Sequence, residues 1–242
     1  MTRRPTRRRA SSAGPDLGAV LIPAVHLLKN HAAASRAASH LLAEHGSGAD
    51  ARLRSRWQRA LRDSGEDLHR LLDQLDDLGR ALAGAPAGRS RVDLGQWLDR
   101  GLEAARISFP DRRVTLTRAA VPAGEWSFAG EPAGLALGCL LRNALLHPPP
   151  NSRATVTAGV VPGGLAITVA DDGPGVPAGE GRKLFTPFFR GTAARDLPGT
   201  GLGLVIARAA AARAGGEVRL LRSRSRGARF QLRFKARRTS GR

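Results

Sequence analysis

The chain has 242 residues, 42% of them hydrophobic, with 39 Lys and Arg against 20 Asp and Glu for a formal net charge of +19. That is long enough for one ordinary domain plus a smaller one, and apolar enough to give each a core, which excludes a wholly disordered chain. No apolar run approaches bilayer-crossing length, the basic start lacks a secretory apolar segment, and the single cysteine, Cys139, excludes an intrachain disulfide and argues against a zinc cluster.

The expected location is therefore cytoplasmic. Residues 1–16, with Arg3, Arg4, Arg7, Arg8 and Arg9 beside Pro5, Ser11 and Ser12, read as a basic disordered tail. A helix is predicted to start at Pro15 or Asp16 and to carry Leu17, Leu21, Val25, Leu28, Ala32 and Leu42 at helical spacing. It includes His26-Leu27-Leu28-Lys29-Asn30-His31, and a seam through Leu21, Val25 and Leu28 leaves His26 beside it, open to solvent. Gly46-Ser47-Gly48 ends this helix. A second, from about Asp50, repeats Leu53, Trp57, Leu61, Leu68, Leu71, Leu75, Leu78 and Leu82 at three- and four-residue steps. Residues 17–84 thus predict an antiparallel hairpin. One hairpin cannot bury both stripes, so the economical arrangement is a four-helix bundle made by two chains, a homodimer. Gly84-Ala85-Pro86-Ala87-Gly88 supplies a hinge to a second domain over 90–236.

In that domain, Leu140-Leu141-Arg142-Asn143-Ala144-Leu145 sets one amide on an otherwise apolar helix. The alternating run from Leu165 to Val169 reads as a strand, and Asp171-Asp172-Gly173-Pro174-Gly175-Val176 places a carboxylate where it opens into a tight turn. Leu184-Phe185-Thr186-Pro187-Phe188-Phe189-Arg190 follows. The stretch Pro198-Gly199-Thr200-Gly201-Leu202-Gly203-Leu204-Val205-Ile206-Ala207 runs three alternate glycines into a helix-forming segment, a geometry that cradles phosphate. Arg222-Ser223-Arg224-Ser225-Arg226-Gly227 reads as a loop between strands. A carboxylate accepts hydrogen bonds and cannot donate them, so Asp171 suits the amino edge of adenine and rejects a carbonyl there. An amide oxygen such as that of Asn143 suits Mg²⁺, which takes hard oxygen ligands alongside phosphates. With no tyrosine and few aromatics to stack on bases, nucleic acid is not the expected partner.

In this order, these four segments resemble the N, G1, F and G2 boxes of the GHKL ATPases, and in particular the catalytic domain of bacterial sensor histidine kinases, over about residues 90 to 236. The resemblance implies an α+β protein in which the helical hairpin precedes a Bergerat-type α/β sandwich, a mixed sheet covered on one face by helices, with ATP held between the N-box helix and a mobile lid. It implies that Asp171 accepts the adenine amino hydrogen, that Gly173 and Gly175 shape the base pocket, and that Asn143 ligates Mg²⁺. His147, Phe185 and Arg190 join the nucleotide contacts, and Gly199, Thr200, Gly201, Leu202 and Gly203 wrap the phosphates.

The segment from His26 to His31 is similar to the H-box of the same kinases. His26 is then the phosphoacceptor and Asn30 an amide able to orient water. The implied function is ATP-dependent autophosphorylation on His26 and transfer to an aspartate of a response-regulator receiver domain, with sensory input from another chain. Four positions depart from the family pattern: Leu27 stands where an acidic residue is usual, His31 where a proline is, Cys139 where another Asn is common, and Leu146 in place of lysine. They keep open a conditional autokinase, a degenerate non-catalytic ATP-binding dimer, and a phosphatase of the response regulator. A hydrolytic GHKL enzyme would need a glutamate base at position 139, and an anti-sigma serine kinase normally lacks the hairpin.

Overall fold

The computed structural model describes residues 16–45, 48–83, 87–109, 115–119, 121–146, 152–194, 199–222 and 226–239. Residues 1–15 of the expected tail, Gly46 and Ser47 of the first break, 84–86 of the hinge and 223–225 of the arginine loop lie outside them.

Two long helices open the described chain, α1 (Leu17–His45) and α2 (Ala51–Leu82). The start of α2 is fixed by Asp50, whose Oδ1 accepts the Leu53 N–H at 2.7 Å and occupies a donor the helix leaves open. Helix α1 carries Pro23 as its seventh residue, past the first turn, where the missing N–H leaves the Ala19 carbonyl without its ladder donor. The helices run antiparallel, with the Ser64 hydroxyl donating to the His31 carbonyl at 2.8 Å. The seam differs from the one expected. Val20, Ala24 and Ala38 are the buried residues of α1, whereas Leu21 and Val25 are exposed, at 54% and 47%. Small residues let α1 lie close on α2, and its larger side chains, with Leu17 and Ile22, form a second apolar face turned outward.

Then come β1 (Ser90–Asp93), α3 (Leu94–Ser108), β2 (Thr115–Ala119), β3 (Glu125–Phe128), α4 (Gly130–Leu146), β4 (Arg153–Val161), β5 (Gly164–Asp171), α5 (Gly203–Arg213), β6 (Glu217–Leu220), β7 (Arg229–Lys235) and β8 (Arg237–Arg238). Five strands form a mixed sheet in the order β2-β4-β5-β7-β6, antiparallel except for β2 beside β4. A smaller antiparallel sheet, β1-β3-β8, flanks it. The strand alternation puts Leu165, Ile167 and Val169 of β5 and Phe230, Leu232 and Phe234 of β7 on the core side. Helix α4 is buried along most of its length, from Pro132 through Leu145. Helix α3 buries Leu94, Leu98, Leu102 and Ala105, and α5 buries Val205, Ile206, Ala207, Ala210 and Ala211. Trp97 meets Phe128 edge-on at 5.3 Å, and Phe128 lies 5.1 Å from Phe234, tying α3 to both sheets.

The hairpin is seated on this sandwich. Leu71, Leu78 and Ala81 of α2 join the same core as α4 and α5, and Arg213 of α5 donates to the Arg80 carbonyl at 3.0 Å while pairing with Glu131 of α4. Trp57, by contrast, lies far up α2 and is only half-buried. Among the described residues, no helix is long and apolar enough to cross a membrane.

Candidate functional site

The site is built where the end of β5 meets the Asn143 face of α4. Alternation along β5 sends Asp171 inward and Asp172 outward, and the outer residue is tied to the sheet, its Oδ1 accepting the Arg153 N–H at 2.8 Å. Asp171 is 8% exposed, and its Oδ1 accepts the N–H groups of Gly173 at 3.0 Å and Ala228 at 3.2 Å. Burial pushes its pKa up, the two N–H donors pull it partly back, and the neighbouring Asp172 charge adds to the rise. Both bonds fall on one oxygen, which leaves the other as an acceptor facing the cavity that Asp171 lines. Gly227 closes the back of this turn, since a Cβ there would lie 1.7 Å from the Asp171 carbonyl.

Two adjoining cavities meet at Asn143. The first, about 60 Å³, is bounded by Asn143, Asp171, Gly175, Val176, Glu180 and Leu204. The second, about 100 Å³, lies between α2, α4 and the glycine loop, against Gln74, Cys139, Asn143, Arg190, Thr200 and Gly203. Helical periodicity accounts for the α4 contribution, because Cys139, Arg142, Asn143 and Leu146 share one face. Cys139 is buried, and burial pushes its thiol up to about 12, the Arg142 charge opposing and Asp77 assisting. A thiol so held stays protonated and cannot act as a base.

The glycine loop is shaped by its neighbours. Gly201 adopts φ 78°, and a Cβ there would lie 2.7 Å from the Phe188 backbone, so only glycine fits between the two loops. The Leu202 N–H donates to the Thr200 hydroxyl at 3.2 Å just before α5 starts. Between β5 and this loop, the Glu180 carboxylate accepts from the Thr192 N–H at 3.2 Å and its hydroxyl at 3.0 Å. Phe185 is turned to α5, its ring 5.4 Å from the Arg208 guanidinium and its carbonyl accepting from the same side chain at 3.2 Å. Arg190 donates to the Ala194 carbonyl at 2.5 Å.

Asn143, Asp171, Gly175, Arg190, Gly199, Thr200, Gly201 and Gly203 are thus brought to the two cavities. Gly173 and Leu202 act one step back, through their N–H groups, and Phe185 stands outside the lining. His147 lies outside the described residues. His26 and Asn30 sit one turn apart on α1, both exposed, on a different element from the cavities. Gln74 and Glu180 are cavity residues that the local motifs did not signal. Among the described residues, no group of three His, Cys, Asp or Glu is placed to hold a metal; at the junction of the two cavities Asn143 offers an amide oxygen, a hard donor of the kind Mg²⁺ accepts.

Residues 131–238 match the family model described as histidine kinase-, DNA gyrase B- and HSP90-like ATPase. Over 158 residues, or 64% of this chain, the sequence is 37% identical to the signal transduction histidine-protein kinase/phosphatase MprB of Mycobacterium sp. (strain KMS). The chain is homologous to sensor histidine kinases. The match covers 30% of that relative, so this chain spans less than a third of it. The MprB of Mycobacterium leprae (strain TN) is similar at 36% identity over 64% of this chain and 29% of its own length. Among solved structures, the mycobacterial sensor histidine kinase MprB is 29% identical, with a TM-score of 0.52 over 62% of this chain and all of that one. The Acinetobacter baumannii histidine kinase AdeS shares the fold, with a TM-score of 0.66 at 16% identity over 87% of this chain and 97% of its own. The sandwich and the helical segment before it are both part of the α+β fold shared with that structure.

Proposed function

We propose that this chain is a histidine protein kinase that transfers the γ-phosphoryl group of ATP to His26 and passes it to an aspartate of a response-regulator receiver domain. The observation that carries this reading is the inward Asp171 carboxylate, placed across Asn143 from a glycine loop that opens α5. Asp171 accepts the adenine amino hydrogen. Thr200 and Gly199 to Gly203 enclose the phosphates with backbone donors at the start of α5. Magnesium supplies charge neutralisation on the phosphate chain, and Asn143 is the residue that holds it. The imidazole of His26, exposed on α1, is nucleophilic in its neutral form; one nitrogen forms the new bond to phosphorus as the bond to ADP breaks, and the imidazole proton leaves to a base. Positioning supplies most of the rate in such a transfer. The hairpin register is compatible with it. With Ser64 opposite His31, His26 lies about one and a half turns along the bundle from the level of Gln74, which borders the glycine loop.

A second reading rests on Leu27. It is half-buried and aliphatic where a proton acceptor would stand beside His26, and a missing general base costs about 10²–10⁴ in rate. The chain then acts as a nucleotide-occupied dimer or, through Asn30, as a phosphatase of the response regulator. The test is incubation of the full chain with Mg²⁺ and γ-labelled ATP, for wild type, His26→Gln and Asn143→Ala. An acid-labile, alkali-stable label in wild type, lost in both variants, is expected. Nucleotide binding with no label in wild type would instead establish the occupancy reading.

A further inference from the structure

Gln74 of α2 is a buried amide, 5% exposed, whose Oε1 accepts the Thr200 hydroxyl hydrogen across 126 residues of sequence. The Thr200 oxygen in turn accepts the Leu202 N–H at 3.2 Å. The three groups form a relay from the helical hairpin, through the glycine loop, to the backbone at the start of α5. This relay occupies two things a phosphate needs: the Leu202 donor and the space between α2, α4 and the loop. The space left is about 100 Å³, against about 300–1,000 Å³ for typical ligand pockets. Among the described residues, Gln74 is the hairpin residue that borders this cavity, so it is a point at which the position of α2 is communicated to the phosphate side.

We propose that Gln74 is a positioning residue of the nucleotide site: seated on Thr200, it holds the glycine loop in a closed setting, and nucleotide binding requires this contact to be released. The inference rests on the ATP-binding reading of the same site and adds its regulation. Hairpin docking and triphosphate binding then compete for Thr200, and by reciprocity a bound triphosphate loosens α2 from the sandwich.

The test is calorimetric titration of the full chain with AMPPNP and Mg²⁺, for wild type, Gln74→Ala, Thr200→Val, Thr200→Ser and the two double variants that combine Gln74→Ala with Thr200→Val and with Thr200→Ser. Gln74→Ala is expected to bind about 3- to 10-fold more tightly than wild type, the scale of one net hydrogen bond. The gain is expected to persist when Thr200→Ser keeps the hydroxyl, and to vanish in the Thr200→Val background. That dependence on a hydroxyl separates a positioning role from general loosening of the helix contact. Gln74→Leu, of similar volume, repeats the measurement if the alanine variant folds poorly. Unchanged or weaker binding by both Gln74 variants, or an equal gain with and without the Thr200 hydroxyl, overturns the inference while leaving the ATP reading intact. No heat from wild type and Gln74 variants alike overturns both, whereas binding by Gln74→Ala alone supports both.

Discussion

Asp171 faces two demands that pull apart. In the proposed nucleotide site it must be ionised to accept the adenine amine, yet its burial favours the protonated form. A carboxyl whose native pKa is raised binds its proton more tightly folded than unfolded. The stability this adds is present in full below the ordinary carboxylate pKa and is lost as pH rises through the raised native value. At neutral pH the charged group therefore weighs against the fold. Asp171→Asn keeps an oxygen for the Gly173 and Ala228 N–H groups, so we expect a higher melting temperature than wild type near pH 7, the difference closing below about pH 4. The same substitution presents an amide donor to the adenine amine, and calorimetry should show adenosine nucleotide affinity falling about 10- to 100-fold, the worth of a hydrogen bond to a charged acceptor. A gain in stability coupled to a loss of binding identifies a residue retained for a ligand.

At the scale of elements, helix ends are set by single side chains. Asp50 caps a 32-residue helix, and Asp50→Ala should lower unfolding free energy by about 1 kcal/mol in urea titration, with little change in the slope of the transition. Such features were legible in the sequence because they are local: the cap stands three residues from its partner, and the turn after β5 is written in consecutive residues. The same holds for the glycine loop and for the apolar run of α4. What local pattern does not carry is choice among neighbours. Leu21 and Val25 matched the helical stripe as well as Val20 and Ala24 did, and only the close approach of α2 decided which pair turned inward. Gln74 carries no local signal, since its partner is remote in the chain. The two-residue β8 has no periodicity of its own and exists as a strand through pairing with Trp126 and Ser127.

Among the described residues, the hairpin leaves several large apolar side chains exposed within a single chain. Leu17, Leu21, Ile22 and Val25 are exposed on α1, with Leu53 and Leu72 exposed on α2. Full burial of a Leu, Ile or Val is worth about 1.5–3 kcal/mol, and with these side chains still roughly half exposed each adds about 1 kcal/mol, which favours joining two hairpins as a four-helix bundle. We expect sedimentation velocity to show a dimer for the wild-type chain and a monomer when Leu21→Glu and Val25→Glu are combined, with nucleotide affinity measured in parallel to confirm an intact sandwich. A wild-type monomer at tens of micromolar would refute the bundle. The chain's three tryptophans are divided between its parts: Trp57 belongs to the hairpin, while Trp97 and Trp126 are packed in the sandwich. Indole emission can therefore be resolved by region, with a Trp57→Phe background reporting the sandwich alone.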